Sequence, residues 1–171
     1  AGRQMALVLE LREEIEHVKL YASIQKIRFP ALFEVNYNIE DECLNLYILK
    51  FILQPIVENS IMHGFSYMER NGVITIDCTK ASDKYLHISV TDNGSGFSSD
   101  PFDSSYSAGI QKSHGVGLIN IRERIRLHFG NEYSMAISSQ KGLGTTVTLK
   151  LPILTSSSEE NLYSHKIDAL S

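Results

Sequence analysis

Three short polar clusters carry the residues that could do chemistry. In "VENSIMHG" (57–64), Asn59 and His63 stand four apart, which puts them on one face of a helix. An Asn carbonyl is a hard neutral oxygen, suited to a Mg2+ ion that also holds phosphates and water. An Asn bonded to its own backbone on a solvated face explains the same residue as simply. In "TDNGSGF" (91–97), Asp92 ends a strand-like run. A carboxylate there needs a donor, and an exocyclic amine such as that of adenine would serve. Gly94 and Gly96 would let the backbone approach a flat base, although an ordinary strand-end turn also uses such residues. In "SHGVGLINI" (113–121), Gly115 and Gly117 come just before a helix start, where free N–H groups favour phosphate. Glycine is also an ordinary helix cap. Thr145 and Thr146, in "KGLGTTV", open the last strand, and strand preference alone accounts for them.

The elements that must position these clusters follow from hydrophobic spacing. Leu7, Leu11, Ile15, Val18 and Ala22 predict a helix over 3–28, with "REEIEHVK" as its charged face and Pro30 as its stop. Residues 32–39 alternate weakly and predict a strand. "LYILKFILQPIVENSIMHG" (46–64) is apolar at helical spacing and predicts a second helix, with Pro55 starting or kinking it and Gly64 as its cap. Residues 72–81 and 84–92 predict two strands, with Ile74, Ile76 and Cys78 on one face and Leu86, Ile88 and Val90 on another. After Asp92 the chain stays polar and does not alternate, so the Asn-Gly turn opens a long loop rather than a hairpin. A helix over 117–130 turns Leu118, Ile121 and Ile125 inward. A final strand pair flanks the turn "KGLG", and a tail begins near residue 153. This order predicts an α+β two-layer sandwich, its sheet mixed or antiparallel and its helices on one face.

Composition narrows the function. At 171 residues, 43% hydrophobic and 9% aromatic, the chain is one domain or one domain with an appendage. A net charge of −4 without a dense Lys/Arg run argues against nucleic acid as the main partner. No apolar run approaches the ~20 residues of a membrane span. Cys43 and Cys78 sit in no metal or redox spacing and read as small core residues. The opening residues carry no helix cap and read as the middle of something longer.

Together, the clusters resemble the ATP-binding fold shared by sensor histidine kinases, DNA gyrase, the mismatch-repair ATPase and the heat-shock chaperone. "VENS" resembles that family's N box, "DNGSG" its first glycine box, "GVGL" its second and "GTTVTL" its closing strand. "LREEIEHVKLYASIQKIRF", "LQPIVENSIMHG" and "GVGLINIRERIRLHFG" are most similar to the LytS/YesM-type bacterial sensor kinases, over residues 8–152. The resemblance implies ATP and Mg2+ as cofactors. It implies Asn59 as the Mg2+ ligand, Asp92 as the adenine reader, and Gly94 and Gly96 shaping the base pocket. Gly115, Gly117 and Leu118 would lie at the phosphates, under a mobile lid over 98–114. Thr146 would support Asp92, through water, and His63 would lie near the phosphates; a helix-end His beside the last carbonyls explains His63 as well. It further implies a connecting helix over 1–30, a catalytic domain over 31–152 and a tail over 153–171.

Departures from that pattern sharpen the expectation. Met62 stands where these kinases usually carry Lys. Pro55 stands four residues before Asn59, where the hydrolysing relatives carry a water-activating Glu; Glu58 should point elsewhere around the helix. None of the six histidines lies in the family's phosphoacceptor context. The expected function is therefore the catalytic piece of a sensor histidine kinase. It would pass the ATP γ-phosphate to a histidine on an upstream domain, for relay to a response regulator. The expected protein is a homodimer, with this domain cytoplasmic and any membrane attachment through N-terminal segments. Two rivals remain at this level: a serine-directed kinase of the anti-sigma-factor type, and a nucleotide-binding module that acts by partner contacts without catalysis. Arg122 and Arg124 could reach phosphates, with a solvated helix face the simpler reading.

Overall fold

The computed structural model describes residues 7–65, 71–97 and 116–156. In chain order the elements are β1 (Val8–Glu10), α1 (Leu11–Arg28), β2 (Phe33–Ile39), β3 (Tyr47–Leu49) and α2 (Gln54–Asn59). A π-helical turn (Ser60–Gly64) prolongs α2. Then come β4 (Gly72–Lys80), β5 (Tyr85–Asp92), α3 (Val116–Phe129), β6 (Ser134–Gln140) and β7 (Gly144–Pro152). The main sheet has the order β2-β4-β5-β7-β6, with β2 and β4 parallel and the other neighbours antiparallel. The parallel pair needs a crossover, and α2 lies within it. The sheet is mixed, as the α+β expectation allows.

The helices pack on one face of this sheet. Ile74, Ile76 and Cys78 of β4, Leu86, Ile88 and Val90 of β5, and Val147, Leu149 and Leu151 of β7 are buried. They join Leu118, Ile121 and Ile125 of α3, Ile56 and Val57 of α2, and Leu11, Ile15 and Val18 of α1 in a single apolar cluster. The β4 and β5 sets expected on separate faces thus share one core, since cross-strand partners such as Ile76 and Val90 project to the same side. The opposite face is polar. One row of it runs Asn36, Thr75, Thr91, Thr146 and Ser138 across the five strands.

Two expected helices are shorter than their apolar spacing suggests. The first begins at Leu11, not at residue 3; Val8–Glu10 instead pair antiparallel with Tyr47–Leu49. Residues 1–6 lie outside the described residues. The segment expected as one helix over 46–64 divides into β3, a turn over 50–53, α2 and the π turn. Pro55 sits in the first turn of α2, where its fixed φ and missing N–H do no harm, so it starts the helix rather than kinking one. A short apolar run reads alike as strand or buried helix, which is why β3 escaped the spacing argument. At the other end, Ile153 and Leu154 still belong to the packed unit. Leu154 is buried and its carbonyl accepts from the Tyr47 N–H at 2.9 Å.

Cys43 and Cys78 are buried free thiols that hydrogen-bond one another, and burial pushes both thiols up. That makes them inert core residues.

Candidate functional site

Asp92 ends β5 on the core side of the sheet, paired in register with Ile74 and Thr145. It is only 7% exposed, so its carboxylate needs donors. Oδ1 accepts the Gly94 N–H at 2.9 Å and the Thr145 N–H at 3.2 Å, and Oδ2 accepts the Ser60 hydroxyl at 2.7 Å. A carboxylate offers about four lone-pair positions. Among the described residues Oδ1 has two donors and Oδ2 one, which leaves Oδ2 one lone-pair position.

Ser60 comes from the turn that prolongs α2. Ile56 and Val57 anchor α2 in the core and leave Asn59 half-buried at its last position. The Asn59 side chain makes no side-chain hydrogen bond among the described residues, so its amide oxygen is available to a ligand. The wider π turn then buries Ser60 and Ile61 while leaving His63 half-buried and Met62 exposed. Such turns inside α-helices occur often at functional sites. The turn is tied to the loop after Asp92: the Ser95 N–H donates to the Gly64 carbonyl at 2.8 Å, and the Ser95 hydroxyl to the His63 carbonyl at 3.4 Å.

Close backbone approach explains the glycines. A Cβ on Gly94 would lie 2.7 Å from the Gly64 Cα and carbonyl oxygen. Gly96 adopts a left-handed φ of +62°, and a Cβ there would lie 2.2 Å from the Gln140 carbonyl oxygen. The loop is thus pressed between the π turn and the β6–β7 hairpin. The Gly142 N–H donates to the Ser95 carbonyl at 2.6 Å, and the Phe97 N–H to the Ser139 hydroxyl at 2.9 Å.

The structure brings Asp92, Gly94, Gly96 and the Asn59–Gly64 segment together. It moves one expected role by one residue. Thr146 does not reach Asp92; its hydroxyl donates to Thr91 on the polar face at 3.3 Å. Thr145, its buried neighbour, backs Asp92 through its N–H and bonds Ser139 at 2.8 Å. Adjacent strand residues face opposite sides, so the register with β5 decides between them. Ser60, Gly64 and Thr145 escaped the sequence reading as functional partners; parity from Asp92 across the β5–β7 pair would have selected Thr145.

The residues expected at the phosphates are described only in part. Gly115 and the expected lid over 98–114 lie outside the described residues. Gly117 is exposed in the first turn of α3, against Pro55: a Cβ on it would meet the Pro55 Cβ at 4.0 Å. The Leu118 side chain is buried in the core, which leaves only its backbone for a ligand. Arg122 is exposed on α3. Arg124 meets neither solvent alone nor the site: it donates to the Lys50 and Phe51 carbonyls at 2.6 and 3.3 Å. Glu58 is exposed. Burial first, then the Glu58 charge, push the Tyr21 hydroxyl up to about 12, with Arg28 pulling the other way.

Comparison with known proteins agrees with this geometry. The family described as "Histidine kinase-, DNA gyrase B-, and HSP90-like ATPase" matches residues 47–155. The chain is 35% identical over 153 residues to the sensor protein LytS of Staphylococcus epidermidis, a match covering 88% of this chain and 26% of that protein. It is 34% identical over 145 residues to the sensor histidine kinase YesM of Bacillus subtilis, covering 85% of this chain and 24% of that protein. The chain therefore spans about a quarter of the length of these relatives. Among solved structures, the histidine kinase domain of the Erythrobacter litoralis EL346 blue-light activated kinase superposes with a TM-score of 0.64 at 18% identity. That match covers 96% of this chain and 70% of that one. The catalytic domain of histidine kinase ThkA gives 0.64 at 16% identity, covering 91% and 100%. These two likenesses concern the fold.

Proposed function

The chain belongs to the histidine kinase-, DNA gyrase B- and HSP90-like ATPase family, and from that membership we propose that it is the ATP-binding catalytic domain of a two-component sensor histidine kinase. One observation carries the nucleotide reading: Asp92 Oδ1 is filled by two N–H donors, while Oδ2 holds Ser60 and keeps one acceptor position open. The adenine amine fills it. Gly94 and Gly96 keep the loop backbone flat beside the base. Gly117 and the backbone of Leu118 would serve the phosphates, with His63 beside them; Gly115, outside the described residues, is proposed for the same role.

A magnesium ion fits the donor set on one side chain only. Among the described residues no three His, Cys, Asp or Glu side chains stand close enough to hold a metal. Asn59 Oδ1 would hold the ion together with phosphate oxygens, in the manner of Mg2+ sites that rely on the substrate. The ion would supply charge neutralisation on the phosphates.

Pro55 and Glu58 bear on what the site does with ATP. Pro55 cannot act as a base, and Glu58 is exposed one residue from Asn59, about 100° away around the helix, so among the described residues of α2 neither is placed to activate water beside Asn59. Positioning and charge neutralisation are most of what phosphoryl transfer asks of a nucleotide site. An imidazole on an upstream helical domain attacks the γ-phosphorus, the bond to the bridging oxygen breaks, and ADP leaves. The phosphohistidine then passes its phosphoryl group to an aspartate of a response regulator. In this reading residues 1–30 hold the connecting helix from the dimerising acceptor domain, 31–152 form the catalytic domain, Ile153 and Leu154 pack onto it, and the tail follows them. The intact homodimer would reach the membrane through other segments; no described helix is long and apolar enough to cross one.

The test is transfer. With labelled ATP, the chain alone stays unlabelled and hydrolyses ATP slowly, while an added upstream helical domain takes acid-labile label. Brisk hydrolysis by the chain alone, or acid-stable label on serine, defeats the proposal.

A further inference from the structure

The turn at 50–53, just before α2, is held from two sides. On one side Glu14 of α1, with no exposed surface, accepts the N–H groups of Phe51 at 3.2 Å, Ile52 at 2.9 Å and Leu53 at 3.1 Å. On the other, the Arg124 guanidinium of α3 donates to the Lys50 and Phe51 carbonyls. Phe51 between them has a left-handed φ of 56°, sparsely populated for a residue with a side chain, and its ring stacks on His17 of α1 at 6.2 Å. Strained backbone persists where its surroundings over-determine it.

Two features set this apart from an ordinary helix start. A local Ser or Asp would cap α2 at little cost. Here no side chain caps α2; the turn before it is instead held from 37 to 39 residues away, through a carboxylate whose burial is costly unless every bond is made. The start of α1 is also fastened to the strand entering the turn: β1 pairs with β3, and the Lys50 N–H donates to the Leu7 carbonyl at 3.0 Å. Helix α1, the turn and α2 are therefore fastened to one another, and α2 carries Asn59 at its far end.

The geometry points to Glu14 and Arg124 as positioning residues: together they fix the 50–53 turn, and through it the placement of Asn59, so that α1 is the element by which nucleotide binding is tuned. This rests on the nucleotide reading above. Glu14→Gln keeps one acceptor oxygen but turns an amide donor toward an N–H donor. Arg124→Ala releases the carbonyl side and leaves Glu14 in place.

The experiment is calorimetry of Mg-ATP binding to the 171-residue chain, with hydrogen exchange over 51–64 read alongside. A core variant away from the turn, Ile88→Val, controls for general loss of stability. The expected result is about tenfold weaker binding for Glu14→Gln and for Arg124→Ala, with faster exchange at 51–64, and binding within about twofold of wild type for Ile88→Val. Binding within about twofold for a folded Glu14→Gln overturns the assignment, as does equal loss in Arg124→Ala and Ile88→Val. Should Glu14→Gln fail to fold, Arg124→Ala decides on the same thresholds. If wild type binds no ATP, the nucleotide reading fails. Exchange then still decides the clamp: faster exchange confined to 51–64 in the variants supports it, and unchanged exchange overturns it.

Discussion

Helix α2 has a buried carboxylate at each end, and the two are used differently. Glu14 at its start and Asp92 beside its π turn each accept three hydrogen bonds from the protein. Glu14 takes all three from backbone N–H groups of consecutive residues and has no exposed surface. Asp92 takes two from backbone and one from a rotatable hydroxyl, and retains slight exposure. One carboxylate is closed by the fold and serves placement. The other is braced by the fold and left one bond short, which is the condition for reading a ligand. Bracing matters as much as the vacancy, since an acceptor that does not move discriminates among donors more sharply than one that reorients.

The largest effect should come from reversing the open position. Asp92→Asn keeps an oxygen for the Gly94 and Thr145 N–H groups, and its new amide can donate to Ser60, so the fold holds. The remaining position becomes a donor facing the adenine amine, and ATP binding should fall at least about a hundredfold by calorimetry. A loss below about tenfold would place the base elsewhere.

Removing the single side-chain brace separates bracing from reading. Ser60→Ala leaves the Asp92 oxygens in place but frees Oδ2 to shift, and ATP binding should weaken about five- to tenfold. Thr146→Ala, on the polar face, should change binding less than about twofold. Equal effects in the two variants would contradict the strand parity that assigns Asp92's support to Thr145 and Ser60.

A carboxylate at the surface completes the contrast with a small effect. Glu132 bonds the Tyr85 hydroxyl and pairs with Lys84 at 3.4 Å, and the Tyr85 bond above all holds its carboxyl below the usual range. A depressed carboxyl stabilises the fold above its ordinary value near 4.5 and loses that contribution as pH falls through its lowered one. Glu132→Gln should therefore lower Tm by only about 1 °C at pH 7, with the gap closing in acid below that range. A gap that widens on acidification would invert the assignment.

What was legible in the sequence follows from period. Strands β4 and β5 and helix α3 show clean alternation or helical spacing, and Ile74, Ile88, Ile121 and Ile125 fell where expected. Asp92 with its two glycines was legible because a carboxylate at a strand end needs a partner. Strands β1 and β3 are three residues each and sit inside longer apolar runs, so period could not separate them from helix. Glu14 read as one of the charged residues of "REEIEHVK"; only the turn folded against it shows that it is buried. Thr145 and Thr146 are chemically alike, and nothing local distinguishes them until β7 is set in register with β5.

If the open position on Asp92 Oδ2 reads the adenine amine, that amine decides whether a purine triphosphate binds. The direct measurement is calorimetric titration of the chain with ATP and with purine riboside triphosphate, which lacks only the 6-amino group. The expected result is that ATP binds and that the analogue binds at least about a hundredfold more weakly, with GTP also excluded because its carbonyl opposes the carboxylate. Equal binding of ATP and the analogue would contradict it.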